Sequence, residues 1–303
     1  MIAKAALLAS IVLPASTLVA RSLDSAVAAR RTANCSNCAT WNAPQRPFNL
    51  HGTTYFVGTH GLSAVLITSP GGHILIDGGL NESAPLIASN IKALGFRIED
   101  VKLIVNSHDH YDHAGGIAEL QRLSGAVVAG SPPSAAVFKS GAVGRDDPQY
   151  GIAFAIAPVL NVRAIADGDT LRVGSLAIVA HFTPGHTPGG TSWTWRSCQA
   201  GSCRDVVYAD SQTPVSADGF LFTSNTAYPG AVRDFERSEA TLESLRCDIL
   251  ITPHPDQSSL WERVARKDGG QVDALVNPQA CKDYAATARK ALAKRIATET
   301  TKP

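Results

Sequence analysis

His108-Asp109-His110-Tyr111-Asp112-His113 is the stretch on which the reading of this chain turns. It packs three imidazoles and two carboxylates into six residues. Burying several ionisable groups together is costly unless a metal or partners compensate them. A solvated polar loop would need no such concentration of imidazole. The cluster follows the largely apolar run Val101–Asn106, which reads as a buried strand. It precedes Ala114-Gly115-Gly116, whose glycines let the backbone turn sharply and start a helix behind it. If the chain leaves the strand extended, His108 and His110 point the same way, as i and i+2 do. Asp112 and His113 then sit in the turn and aim at a neighbouring position. The helical zinc motif His-Glu-x-x-His is absent. One short loop can therefore feed two adjacent metals, and its ligand types favour zinc, with iron or manganese as alternatives.

Two further histidines complete the ligand count. His186 lies in Thr183-Pro184-Gly185-His186-Thr187-Pro188-Gly189-Gly190, a tight loop between two predicted strands. His254 lies in Thr252-Pro253-His254-Pro255, after a short apolar strand. We assign His108, His110 and His186 to one zinc, and Asp112, His113 and His254 to a second, each keeping open positions as catalytic zinc requires. Two Zn2+ per chain are expected. His51, His60, His73 and His181 have no partner spacing and read as surface or core residues.

Around these motifs the chain alternates short strands and helices. Strands are expected at Thr54–Gly58, Ala64–Ser69, His73–Asp77, Val101–Asn106 and Ala126–Ala129. Pro70-Gly71-Gly72 marks a hairpin between the second and third. Helices are expected at Ser83–Leu94 and Gly116–Leu123. The second half supplies strands at Val162–Ile165, Leu176–His181, Ser192–Trp195, Val206–Ala209 and Ile249–Thr252, and helices at Val232–Leu245, Trp261–Arg266 and Ala285–Ile296. Such a pattern in both halves fits two sheets face to face with helices outside, an α/β class. Asp24–Ala43 reads as an irregular lead-in.

The 303 residues carry 27 basic and 26 acidic side chains, a net charge of +1 that offers no basic field for nucleic acid. Outside the N-terminus no apolar run is long enough to span a bilayer. Lys4 followed by the small, apolar stretch Ala5–Ala20 reads as a secretory signal. Residues 1–28 are expected to be removed, leaving 29–303 as one domain, a monomer in the periplasm without stable membrane association. An even cysteine count in an exported chain suggests disulfides, and the six fall as Cys35/Cys38, Cys198/Cys203 and Cys247/Cys281. Cys35-x-x-Cys38 could alternatively be a redox motif or half a zinc site, but it precedes the first expected strand and lacks a matching second pair.

With these residues in place, the chain resembles the metallo-β-lactamase superfamily, and within it the B3 subclass. The His-x-His-x-Asp-His loop carries the resemblance, with Ile74-Leu75-Ile76-Asp77-Gly78-Gly79, the Pro-Gly-His loop and the strand before His254. It extends from about Trp41 to Ala293. It implies an αββα four-layer sandwich, two mixed sheets with helices on their outer faces, and a binuclear zinc site at one edge. Ser211, in Tyr208-Ala209-Asp210-Ser211, stands where the other subclasses have a cysteine ligand, so His113 serves the second zinc. The resemblance also implies a Cys247–Cys281 disulfide, and it likens the Cys198/Cys203 region to acquired carbapenem-hydrolysing members. Ser211 and Thr213 are then expected to bind the substrate carboxylate, and Gln149 to line the cleft. Some relatives pair an N-terminal cysteine with one at the position of His60; here that partner is missing, and a local Cys35–Cys38 bridge is expected instead. Ser216-Ala217-Asp218-Gly219 lacks a tyrosine found in some relatives, so no oxyanion residue is assigned there.

The implied reaction is hydrolysis of the β-lactam amide of penicillins, cephalosporins and carbapenems. The nucleophile is a metal-bound hydroxide held near the catalytic Asp112, available because zinc lowers the pKa of bound water to about 7. No acyl-enzyme is needed. Ser89-Asn90-Ile91-Lys92 matches the Ser-x-x-Lys of serine β-lactamases, but the companion Ser-Asp-Asn and Lys-Thr-Gly motifs are absent. The alternative is a lactonase or a thiolesterase of the glyoxalase II type. Those enzymes generally carry a bridging aspartate at the position of Ser211, and Asp210 is adjacent.

Overall fold

Successive side chains along a strand point to opposite faces, so the apolar runs of the short central strands cover both faces of each sheet. The computed structural model describes residues 35–301. The expected signal segment, 1–28, lies outside them. The unit that begins at Cys38 contains every element described below. Its first sheet has seven strands in sequential order: β1 (Phe48–His51), β2 (Thr54–Phe56), β3 (Val65–Ile67), β4 (His73–Ile76), β5 (Val101–Val105), β6 (Val127–Gly130) and β7 (Val162–Ala164). β1 to β4 are antiparallel neighbours, and β4 to β7 are parallel. The second sheet has five strands in the order β12-β11-β10-β9-β8: β8 (Thr170–Val173), β9 (Leu176–Phe182), β10 (Thr191–Gln199), β11 (Ser202–Tyr208) and β12 (Ile249–Ile251).

Ile74 and Ile76, Leu103 and Val105, Val206 and Tyr208, and Ile249 and Ile251 all join one core between the two sheets. Trp193 lies fully buried in it. Truncating such a side chain costs about 3–5 kcal/mol. The intervening residues point outward. Leu75, Ile104 and Val128 pack against the helices α2 (Ala84–Ala93), α4 (Ile117–Ser124) and α5 (Pro132–Ser140). Val207 and Leu250 pack against α6 (Ala231–Ser244) and α8 (Ala280–Thr300). The result is the αββα sandwich. The remaining helices are α1 (Cys38–Trp41), the turn α3 (Tyr111–Ala114) and α7 (Leu260–Asp268).

Most expected elements occur within a few residues of their expected bounds, and Pro70-Gly71-Gly72 does join an antiparallel pair. Four elements have no counterpart among the expectations: the edge strands β1 and β8, and the helices α1 and α5. Edge strands owe their existence to pairing with β2 and β9, which periodicity does not report. α5 opens with Pro132 after Ser131, whose hydroxyl accepts from the Ser134 amide; proline is well tolerated at a helix start. The lead-in expected to be irregular contains the single turn α1. β10 and β11 form a longer hairpin than expected, closed by the Cys198–Cys203 disulfide. Cys247 and Cys281 are joined as well, linking the segment after α6 to the start of α8. Cys35 and Cys38 are also disulfide-bonded. No described helix is long and apolar enough to cross a membrane.

Hydrogen bonds between the sheets hold one end of the sandwich together. Asp77, buried at the end of β4, accepts from the Ser107 amide (2.6 Å), the Ser107 hydroxyl (2.7 Å) and the Tyr208 hydroxyl (2.7 Å). The Trp193 indole donates to the Asn106 carbonyl, and the Thr191 amide to that of Ser107. Ser63 ties the first sheet to Thr252 and Pro253. These bonds bring the ends of β5, β10 and β12 to one edge. Gly116 packs so closely on Gly78 that a Cβ there would overlap the Gly78 carbonyl. The two glycine pairs flanking the cluster thus set the turn behind it.

Candidate metal centre

The cluster His108–His113 leaves β5 extended and then coils. His110 has φ −68° and ψ 152°, the extended conformation of a helix-capping position, and Tyr111–Ala114 forms the helical turn α3. His186 arrives from the loop after β9, and His254 from the end of β12. His186 is placed by its loop's packing: Gly185, at φ +138°, presses on the Phe235 ring of α6, and Ser238 donates to the Pro184 carbonyl. Three loops from both sheets therefore meet at one edge.

Two buried donor sets result, His108/His110/His186 and His108/Asp112/His113, each with ligand atoms within 4.8 Å of one another. His254 joins the second set. Its Nε2 lies 3.2 Å from His113 Nε2 and 3.5 Å from Asp112 Oδ2, and Asp112 Oδ2 is 3.4 Å from His113 Nε2. All six sequence-assigned residues are thus gathered. Each imidazole of the first set is held from behind. His108 Nδ1 pairs with Asp210 Oδ1 at 2.8 Å, His110 Nε2 with the Asp147 carboxylate at 3.2 Å, and His186 Nδ1 with the Thr213 carbonyl at 2.8 Å. Such partners fix the ring orientation and leave the other nitrogen available as a ligand.

Electrostatics favour neutral, metal-ready donors. Burial, and then the neighbouring imidazoles, pushes His108 well below the usual histidine range. Burial and His110 bring His186 down to about 3. Burial opposes ionisation of Asp112, but His113 and hydrogen bonds from His113 and His254 outweigh it and hold the carboxyl well below its usual range. His110 is the exception: burial lowers it, yet the Asp147 carboxylate wins and raises it. The donor arrangement fits a cation. Two imidazole nitrogens 3.2 Å apart, with a carboxylate oxygen 3.4 and 3.5 Å from them, are what a shared positive ion would reconcile.

Comparison with known proteins gives the geometry a family. The sequence model of the metallo-beta-lactamase superfamily matches residues 57–254. The chain belongs to the metallo-β-lactamase superfamily. Among solved structures it is similar to Rm3 metallo-beta-lactamase, at 56% identity and a TM-score of 0.87 over 88% of this chain and 100% of that one. It is also similar to MEM-A1, a subclass B3 enzyme isolated from a soil metagenome library, at 53% identity and a TM-score of 0.84 over 86% of this chain and 98% of that one. Among curated relatives, it is 29% identical over 177 residues to a hydroxyacylglutathione hydrolase of Ectopseudomonas mendocina, spanning 56% of this chain and 60% of that protein's length. The chain is a hydrolase of the superfamily with a metal-binding centre, and its solved relatives place it in subclass B3.

The other expected superfamily site residues lie as follows. Gln149 is half-buried, its amide nitrogen 3.4 Å from His110 Nδ1. Thr213 meets His186 through its carbonyl and, at 3.3 Å, its hydroxyl. Ser211 is buried, and its hydroxyl has no partner among the described residues. His60, at the surface, stacks on Trp261 (4.7 Å between ring centroids) and contacts Gln45. Two supporting residues went unrecognised in the sequence. Asp77 closes an apolar run, a visible signal of a buried carboxylate. Asp147 sits in the polar segment Gly144-Arg145-Asp146-Asp147, where nothing local separates it from its neighbour. Asp210 entered the sequence reading only as a rival ligand.

Proposed function

We propose that this hydrolase opens β-lactam rings with two zinc ions, one held by His108, His110 and His186 and the other by Asp112, His113 and His254. The observation that carries the proposal is the pair of adjacent, buried donor sets, one all-histidine and one containing Asp112. Bound zinc supplies a Lewis acid and, by lowering the pKa of coordinated water to about 7, a nucleophile at neutral pH. The chain's own residues do the rest. Asp112 keeps an ionised carboxylate beside His113 and His254, where it can orient a water and accept its proton. Asp210, Asp147 and the Thr213 carbonyl hold the three imidazoles of the first set in register. Ser211 and Thr213 receive the substrate carboxylate, and Gln149 lines the cleft. Ser89 and Lys92 lie on α2, which packs on the outer face of the first sheet, so they supply no nucleophile for an acyl-enzyme. We also propose export to the periplasm with loss of residues 1–28, and action of residues 29–303 as a monomeric single domain.

A thioesterase or lactonase reading is favoured by the curated relative. It requires Asp210 as a metal-bridging group. Asp210 instead engages the back of His108, and it belongs to neither donor set. The test is steady-state hydrolysis by the purified protein. Turnover of a chromogenic cephalosporin, abolished by a chelator, restored by zinc and lost in Asp112→Ala, is expected. Turnover confined to thioesters or acyl-lactones would overturn the substrate assignment.

A further inference from the structure

The last turns of the C-terminal helix α8 reach over to a loop at the centre. Arg295 Nη2 donates to the Ser216 hydroxyl (2.7 Å) and to the Phe220 carbonyl (2.8 Å), and its guanidinium lies over the Phe222 ring. One turn later, Glu299 accepts from the Phe222 amide (3.1 Å), the Thr223 amide (3.0 Å) and the Thr223 hydroxyl (3.0 Å). The two side chains also bind each other, Arg295 Nε to Glu299 Oε1 at 2.5 Å. Two residues at i and i+4 thus make five hydrogen bonds to one loop. Charge-assisted bonds of this kind are stronger than neutral ones, and a planar guanidinium makes them directional.

That loop continues directly from Thr213, whose carbonyl holds His186. It is also tied to the opposite side of the centre. The Ala217 amide donates to the Pro148 carbonyl (2.9 Å), between Asp147 and Gln149, both of which contact His110. Between the loop and α8 lies a cavity of about 400 Å³, bordered by Ser216, Phe220, Lys294 and Arg295. Phe220 and Phe222 anchor the far part of the loop in an apolar cluster with Phe235, Leu292 and Ile296, while Arg295 reaches back to its Ser216 end. Exposed Val215 and Leu221 on this loop, and Tyr150 and Ile152 on the other, are apolar residues available to a substrate's side groups.

We propose that Arg295, braced by Glu299, is a positioning residue that sets the width of the substrate cleft by clasping the 213–223 loop against the 147–149 loop. Its hydrogen bonds go to Ser216, Phe220 and Glu299 and to none of the donor residues, so it acts on binding rather than on bond breaking. The inference rests on the β-lactam reading for its kinetic arm only.

The test compares Arg295→Ala and Arg295→Lys with the unchanged, zinc-loaded protein. In Arg295→Ala, KM for a cephalosporin with bulky side groups is expected to rise about tenfold with kcat within about twofold, the pattern of lost uniform binding. Zinc content by elemental analysis should be unchanged. Amide hydrogen exchange at Ala217, Phe222 and Thr223 should quicken at least tenfold, with β5 and β10 unaffected, the mark of a local opening. Arg295→Lys should recover part of both effects. Unchanged exchange at Ala217, a fall in kcat without a change in KM, or faster exchange throughout β5 and β10 would each overturn the clasp. If the unchanged protein turns over no β-lactam, the functional reading fails while the exchange arm still decides the clasp.

Discussion

Removing the group behind His108 gives a quantitative test of how the centre is held. Asp210 is fully buried, accepts from His108 Nδ1 at 2.8 Å, and receives no bond on its second oxygen from any described residue. Asp210→Ala leaves the imidazole N–H only Ser107 Oγ as an acceptor, at 3.4 Å a long and weak bond. An unsatisfied buried donor costs about 1–3 kcal/mol. Loss of such a supporting partner weakens metal binding by about 10–100-fold, equivalent to roughly 1.4–2.8 kcal/mol at 1.4 kcal/mol per decade. Asp210→Asn keeps an acceptor of the same shape, so its loss should be smaller, within about fivefold on the same scale. The assay is a competition titration of zinc against a chromophoric chelator, with circular dichroism to establish that each variant is folded. A folded Asp210→Ala that binds zinc as tightly as the unchanged protein would refute the claim that Asp210 orients His108. Equal loss in both variants would show that the negative charge, rather than the hydrogen bond, is what matters.

Asp77 holds three hydrogen bonds between the sheets, so Asp77→Ala should lower stability in urea by about 3–5 kcal/mol; a change below about 1 kcal/mol would contradict the network's role. Asp77→Asn should be milder, since asparagine also tolerates the φ of +64° found there. Replacing Cys247 and Cys281 by serine removes a cross-link with a sequence separation of 34, which loop entropy values at about 3–4 kcal/mol, and a lower thermal midpoint with unchanged zinc content is expected. In the metal-free protein, burial brings His186 down to about 3, so below about 6.5 the unfolded chain binds a proton that this native ring refuses, while the raised carboxyls of Asp109 and Glu239 work in the opposite sense. Metal-free His186→Gln should therefore lose less stability, or gain more, between pH 7.5 and pH 5 than the unchanged protein; thermal unfolding at the two pH values measures it, and an identical pH dependence would refute the assignment.

Much of the centre was legible in the residues themselves. Six positions in three separate stretches could be named because ionisable side chains so concentrated have few structural uses, and because apolar runs ahead of them mark strand ends. The unbroken apolar runs Ile74-Leu75-Ile76 and Val206-Val207-Tyr208 are local, so strands buried on both faces, and with them the layered class, could be read as well. Tertiary structure alone decided what stands behind the ligands. Asp147 and Asp210 find their imidazoles across sequence separations of 37 and 102 residues, and Asp77 meets Tyr208 across 131. No periodicity encodes such encounters. They follow from the register of twelve strands and the packing of two sheets, and a carboxylate acquires its role only when burial leaves one partner within reach.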